Sequence, residues 1–130
     1  MELEVSFPGN KKVAASFKGL TILTDQPKTS GGDAAGPSPF DCFVASIGTC
    51  AGYYILAFCQ ERNIPTERIR LVQCFERDEE THLIPKISLD IHLPPDFPDK
   101  YKKAMVKVAE QCAVKKHLQN PPEVEMQVVD

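Results

Sequence analysis

From Cys42 to Cys59 the chain runs for 18 residues without a charged side chain, in a sequence that is otherwise 25% charged. This run constrains the architecture, because a helix with no polar face has to be covered on every side by something apolar. Its start is well marked. Ser38 is a good N-cap, Pro39 suits the first helical position, where its missing N–H would be unpaired anyway, and Asp41 sits near the positive end of the helix dipole. Phe40, Phe43, Val44, Ile47, Ala51, Tyr54, Ile55 and Phe58 spread over more than one stripe, which predicts a helix buried nearly all round. The run meets the length test for a membrane span. Ser46, Gly48, Thr49, Gly52 and two tyrosines interrupt it, however, and strand-like segments flank it, so a core helix is the better reading. A chain of 130 residues makes one domain, residues 1–130, with little material to cover such a helix. A second copy is therefore expected to supply the rest, as a homodimer.

Around this helix the pattern alternates with period two. Residues 2–7 and 12–18 flank a Pro-Gly-Asn turn signal and read as a hairpin, with 20–25 as a third strand. The stretch QPKTSGGDAAGPSP has no apolar periodicity and reads as a loop of functional length. After the helix, 68–78 and 87–93 read as strands, the second with Ile87, Leu89, Ile91 and Leu93 on one face. Residues 99–118 read as an amphipathic helix with Tyr101, Met105, Val108 and Cys112 in phase, and 124–129 as a last strand carrying Val124, Met126 and Val128 on one side. The order βββαββαβ predicts an α+β domain with two main helices packed on mostly antiparallel sheet.

A formal charge of −3, with no long block of like charge, excludes an electrostatic footprint for nucleic acid and favours a small apolar partner. The N-terminus lacks the basic segment and apolar run of a secretory signal, which predicts a cytoplasmic protein with reduced cysteines and no membrane partner.

Those cysteines stand at 42, 50, 59, 74 and 112, with no CxxC pair. Cys112 and His117 lie five apart on a predicted helix and face different ways, so no metal site is expected. By spacing, Cys112 completes a core stripe. Cys50 lies midway along the uncharged helix, where burial raises a thiol pKa unless a cation or a hydrogen-bond donor stabilises the thiolate, and it is too far along for that helix's own dipole. Cys42, in the first turns, ranks first on the dipole argument; Cys59 and Cys74 read as packing residues. His82, His92 and His117 form no catalytic arrangement, and GGDAAG lacks the lysine of a phosphate cradle.

Taken together, GGDAAGPSPFDCFVASIGTC, the following YYILAFCQERNI and the late EQCAVKKHL resemble the OsmC/Ohr family, the osmotically inducible and organic hydroperoxide resistance proteins, over nearly the whole chain. The resemblance implies an OsmC-like fold, an intertwined homodimer with buried central helices, and no cofactor. It puts the peroxidatic thiol on Cys50 and the resolving thiol on Cys112, displacing Cys42 from first place. The implied substrate is a small organic hydroperoxide and the implied reductant a dithiol. The substrate pocket is expected along the first helix at Phe40, Asp41, Phe43, Ile47 and Tyr54. Catalytic members pair an N-terminal arginine with a glutamate at the helix start. Here that glutamate position is Phe40 and no arginine precedes Arg62, which leaves Lys18, Lys11, Lys12 or a loop lysine as the cation. A fold retained to bind an apolar or acyl ligand is the alternative, and a redox sensor or thiol-repair factor a third.

Overall fold

The computed structural model describes residues 1–130. The expected α+β class is observed, with every strand pair antiparallel. Two compact units divide the chain, Met1–Ala45 and Ser46–Asp130. The first holds a three-stranded meander, β1 (Glu4–Gly9), β2 (Lys12–Phe17) and β3 (Leu20–Thr24), in that order. Asn10 turns the first hairpin and Lys18-Gly19 the second, all at positive φ, as tight hairpins between right-twisted strands require.

The loop after β3 is built on one carboxylate. Asp25 is 1% exposed and accepts from the backbone N–H groups of Gln26 at 2.7 Å, Ala35 at 3.0 Å and Asp33 at 3.2 Å. These bonds, with the Ala35 bond the largest cause and the Lys12 ammonium a further one, hold its carboxyl below the usual carboxylate range. Gly32 is required here, since a Cβ would lie 2.0 Å from the Gln26 carbonyl oxygen. The loop glycines are turn formers, as expected, and Asp25 is the organising residue that pattern reading missed.

Helix α1 (Pro39–Glu61) then begins with a reciprocal cap: Asp41 N–H donates to Ser38 Oγ at 3.1 Å, and Ser38 N–H donates to Asp41 Oδ2 at 2.9 Å. Within the single chain its burial is one-sided. Val44, Ile47, Ala51, Ile55 and Cys59 form one buried stripe at helical spacing, while Phe40, Phe43, Tyr53 and Leu56 are exposed. The helix is long and apolar enough to cross a membrane by length and composition alone.

The second unit also holds the hairpin β4 (Arg70–Phe75) and β5 (Ile87–His92), paired from Arg70 opposite His92 to Phe75 opposite Ile87. Its core joins Ile55, Cys59, Phe97 and Met105, with Leu71, Ile91, Tyr101 and Val108 packed around them. Gly52 lies with its missing Cβ 3.8 Å from Leu71, and Gly48 with its own 2.6 Å from the Gln73 side-chain oxygen. Gly48 lets α1 lie close on β4, while a Cβ at Gly52 would make only ordinary contact.

Two expected elements differ. Residues 99–118 are not one helix: α2 (Lys102–Ala109) stops and α3 (Ala113–Gln119) starts afresh. Gln111 N–H donates to Val108 O and Cys112 N–H to Ala109 O, tightening the last turn, and Cys112 leaves the helical region at φ −47°, ψ 120°. The apolar phase runs unbroken through this interruption, so periodicity could not reveal it. Residues 124–129 form no strand, because no neighbouring strand pairs with them, and Val124, Met126 and Val128 are exposed.

Candidate functional site

The break between α2 and α3 brings chemistry to Cys112 and Cys50. In a continuous helix the N–H groups of Ala113, Val114 and Lys115 would donate to carbonyls one turn back. At the start of a new helix they are free to donate elsewhere. Lys115 N–H donates to Cys112 Sγ at 3.3 Å, making the sulfur the N-cap of α3. Val114 and Ala113 N–H donate to Cys50. Cys112 also lies against α1, with its thiol 4.0 Å from Ile47 O, one turn before Cys50.

The two sulfurs share a hydrogen bond and differ in electrostatic state. The Val114 N–H is the largest influence on Cys50; together with the Cys112 thiol and the Ala113 N–H it outweighs burial, so the Cys50 pKa is lowered. Burial is the largest influence on Cys112 and pushes its thiol up, and the hydrogen bond and charge of Cys50 push the same way. The pair is therefore asymmetric, with Cys50 ionising more readily than Cys112. Cys50 is half-buried and Cys112 is 2% exposed. The dipole argument for Cys50 thus failed on the identity of the helix: α1 is too long to help it, but the N-terminus of α3 supplies the donors.

Beside this pair lies an open cavity of about 490 Å³. Ile47 and Ala51 of α1, Leu71, Ile87 and Leu89 of the hairpin, and Cys112 line it. Of the residues expected in a pocket, Ile47 is in this lining. Tyr54 is half-buried against the edge of Tyr53, at 5.4 Å between rings. In the first unit, Phe40 stacks on Phe43 at 5.6 Å, both exposed, and Asp41 is occupied by the helix cap while lining a cleft with Gln26, Gly36 and Ser38. Lys18 is exposed at a hairpin tip, 6.0 Å above the Phe17 ring, and Lys12 is bound to Asp33 and lies 3.9 Å from Asp25. Cys59 is fully buried in the core, and burial raises its thiol pKa; Cys42 is half-buried and Cys74 exposed.

The sequence model of the OsmC-like protein family matches residues 31–127. Among solved structures, a Psychrobacter arcticus 273-4 protein named for osmotic stress and detoxification superposes with a TM-score of 0.70 at 20% identity, over 88% of this chain and 85% of that one. An OsmC-like protein from Mycoplasma pneumoniae gives 0.67 at 16% identity over 92% and 87%. The organic hydroperoxide resistance protein OhrB of Bacillus subtilis gives 0.52 at 20% identity over 93% of each chain. No curated protein matches the chain by sequence.

Proposed function

We propose, given that this chain belongs to the OsmC-like family, that it is a thiol peroxidase for organic hydroperoxides, with Cys50 as the peroxidatic and Cys112 as the resolving thiol. The observation that carries the reading is the helix break that sets Cys112, as the cap of α3, against α1 one turn from Cys50, where the Val114 N–H, the Cys112 thiol and the Ala113 N–H lower the Cys50 pKa and burial raises that of Cys112. The Cys50 thiolate attacks the terminal oxygen of the hydroperoxide, the O–O bond breaks, and the alkoxide leaves as an alcohol after taking a proton. Once Cys50 is a sulfenic acid, the charge that helped to hold the Cys112 proton is gone. Cys112 then attacks the Cys50 sulfur, its proton leaving with the hydroxyl as water, and a disulfide closes. A dithiol resets the pair. The backbone donors supply the thiolate stabilisation for which the family's arginine and glutamate couple is absent at Phe40.

An apolar cavity beside the pair supports a preference for alkyl substrates, at about 0.8 kcal/mol per methylene buried. The uncovered apolar face of α1 and the unpaired residues Val124, Met126 and Val128 support the homodimer. Stopped-flow oxidation of the reduced protein by an alkyl hydroperoxide and by hydrogen peroxide, followed by peptide mass mapping, tests the reading. Fast, alkyl-selective formation of a Cys50 to Cys112 disulfide is expected, and turnover unchanged in Cys50→Ser would sink it.

The same cavity favours one alternative, an apolar or acyl ligand bound without thiol chemistry. That reading expects a melting temperature raised by ligand with all thiols intact, and it fails if saturating alkyl ligands leave the melting temperature where it was.

A further inference from the structure

The hairpin meets the open cavity unevenly. β4 supplies Leu71 alone to its wall, whereas β5 supplies Ile87, Leu89 and Ile91, and residues 84–86 continue the wall ahead of that strand. The cavity therefore follows β5. That strand has a neighbour on one edge only, and its other edge carries peptide groups with no strand to pair them, which leaves the sheet unfinished.

The same unit holds a strand pattern without a sheet. Residues 124–129 alternate Val124, Met126 and Val128 with Glu125 and Gln127 yet form no strand, and the three apolar side chains are 74%, 92% and 94% exposed. Pro121 and Pro122 hold the backbone extended directly after α3, which opposes a return of the segment over its own helix.

We infer that residues 124–129 of a second copy add to the open edge of β5, so that the cavity beside Cys112 is walled by two chains. This rests on the homodimer proposed above and adds which segment crosses, where it lands and what it does there. An added strand turns alternate residues to one face. With Val124, Met126 and Val128 on the face of Ile87, Leu89 and Ile91, an open apolar groove gains an apolar wall. Charge agrees with this placement. The segment from 121 to 130 carries Glu123, Glu125 and Asp130 and no basic residue. The charged residues of the cavity are Lys86, Glu110 and Lys115, and Lys115 faces Glu110 at 3.8 Å, which leaves Lys86 to meet the acidic segment. Under two-fold symmetry each chain gives one segment and receives one.

The test uses the full chain with Met126→p-benzoylphenylalanine, a change at an exposed position. After irradiation, a denaturing gel separates attachment within a chain from attachment between chains, and peptide mass mapping of each band locates it. The expected product is a covalent dimer joining position 126 of one chain to residues 84–91 or 106–118 of the other. The same attachment in the monomer band overturns the inference, because the segment then serves its own chain, and so does attachment elsewhere or none. Lys86→Glu should weaken self-association roughly tenfold, since a two-fold interface applies the reversal twice, and adding Glu125→Lys should restore it. Association indifferent to both changes overturns the placement on β5. A dimer in sedimentation velocity that gives no attachment from position 126 to the cavity removes this inference and leaves the homodimer; a chain that stays monomeric at every concentration removes both.

Discussion

Replacing Cys112 by alanine and, separately, by serine divides what its sulfur does. Both changes remove the resolving thiol. Serine keeps an acceptor for the Lys115 N–H and a donor toward Cys50, whereas alanine keeps neither. The alanine variant therefore loses one hydrogen bond to the Cys50 thiolate out of the three influences that lower its pKa. A hydrogen bond to a charged group contributes about 1.5–3 kcal/mol. A thiol is a weak donor, so the lower end applies, and about 1.4 kcal/mol is a tenfold fall in thiolate population below the ionisation range. Nucleophilicity rises as the thiol becomes more basic, with a slope of about 0.4–0.5, which returns roughly threefold. Alkylation of Cys50 by iodoacetamide, followed by peptide mass mapping, should thus be about threefold slower in Cys112→Ala near neutral pH. It should be about threefold faster in alkali, where both proteins are fully ionised. Cys112→Ser should follow the wild-type profile. Loss of the cap should also leave the alanine variant about 1 kcal/mol less stable than the serine variant. Superimposable pH profiles for alanine and serine would refute the claim that the Cys112 thiol helps to hold Cys50 as thiolate.

Three other expectations concern the scaffold. The Asp25 pKa is lowered chiefly by the Ala35 N–H. Its contribution is therefore fully present above the ordinary carboxylate value, about pH 4, and is lost as pH falls through the depressed folded value, because the unfolded chain binds the proton more readily. Asp25→Asn should lower the melting temperature at neutral pH and flatten its acid limb, as followed by circular dichroism; an acid limb as steep as wild type would exclude Asp25 as its source. Gly52→Ala meets nothing closer than Leu71 at 3.8 Å and should raise stability by about 1 kcal/mol through helix propensity, measured by urea unfolding. A loss of stability there would mean that another surface packs on Gly52. Met126 is 92% exposed in the single chain, so Met126→Asp should leave an isolated chain unchanged and weaken a homodimer, which sedimentation velocity at graded concentrations would resolve.

Much of this was legible in the residues because local chemistry acted alone. Ser38, Pro39 and Asp41 announce the start of α1 through a cap closed within four residues, and the alternation of β5 survives because one face meets the core. What stayed hidden depends on backbone groups or on partners. The break before α3 leaves the side-chain phase of Tyr101, Met105, Val108 and Cys112 intact, and only the backbone of Cys112 departs from the helix. Asp25 could have been suspected, as an acidic residue at a strand end before a glycine-rich turn, but charge alone argued for solvent. The one-sided burial of α1 within the chain was not legible, because an uncharged helix says that something covers it, not which of its faces the same chain covers. Cys50 and Cys112 were paired by motif resemblance; the backbone donors that separate their proton affinities lie in the first turn of α3, which the break creates.

Cys112 is at once a redox group and the cap of α3, and the first N–H groups of that helix end on sulfur. Closing the disulfide replaces a thiolate acceptor with a neutral, weakly accepting sulfur, while the peptide groups stay where they are. The amide protons of Ala113, Val114 and Lys115 should therefore exchange with deuterium faster in the oxidised protein than in the reduced one. A two-electron change between side chains would then be recorded in the main chain, at the first turn of a seven-residue helix.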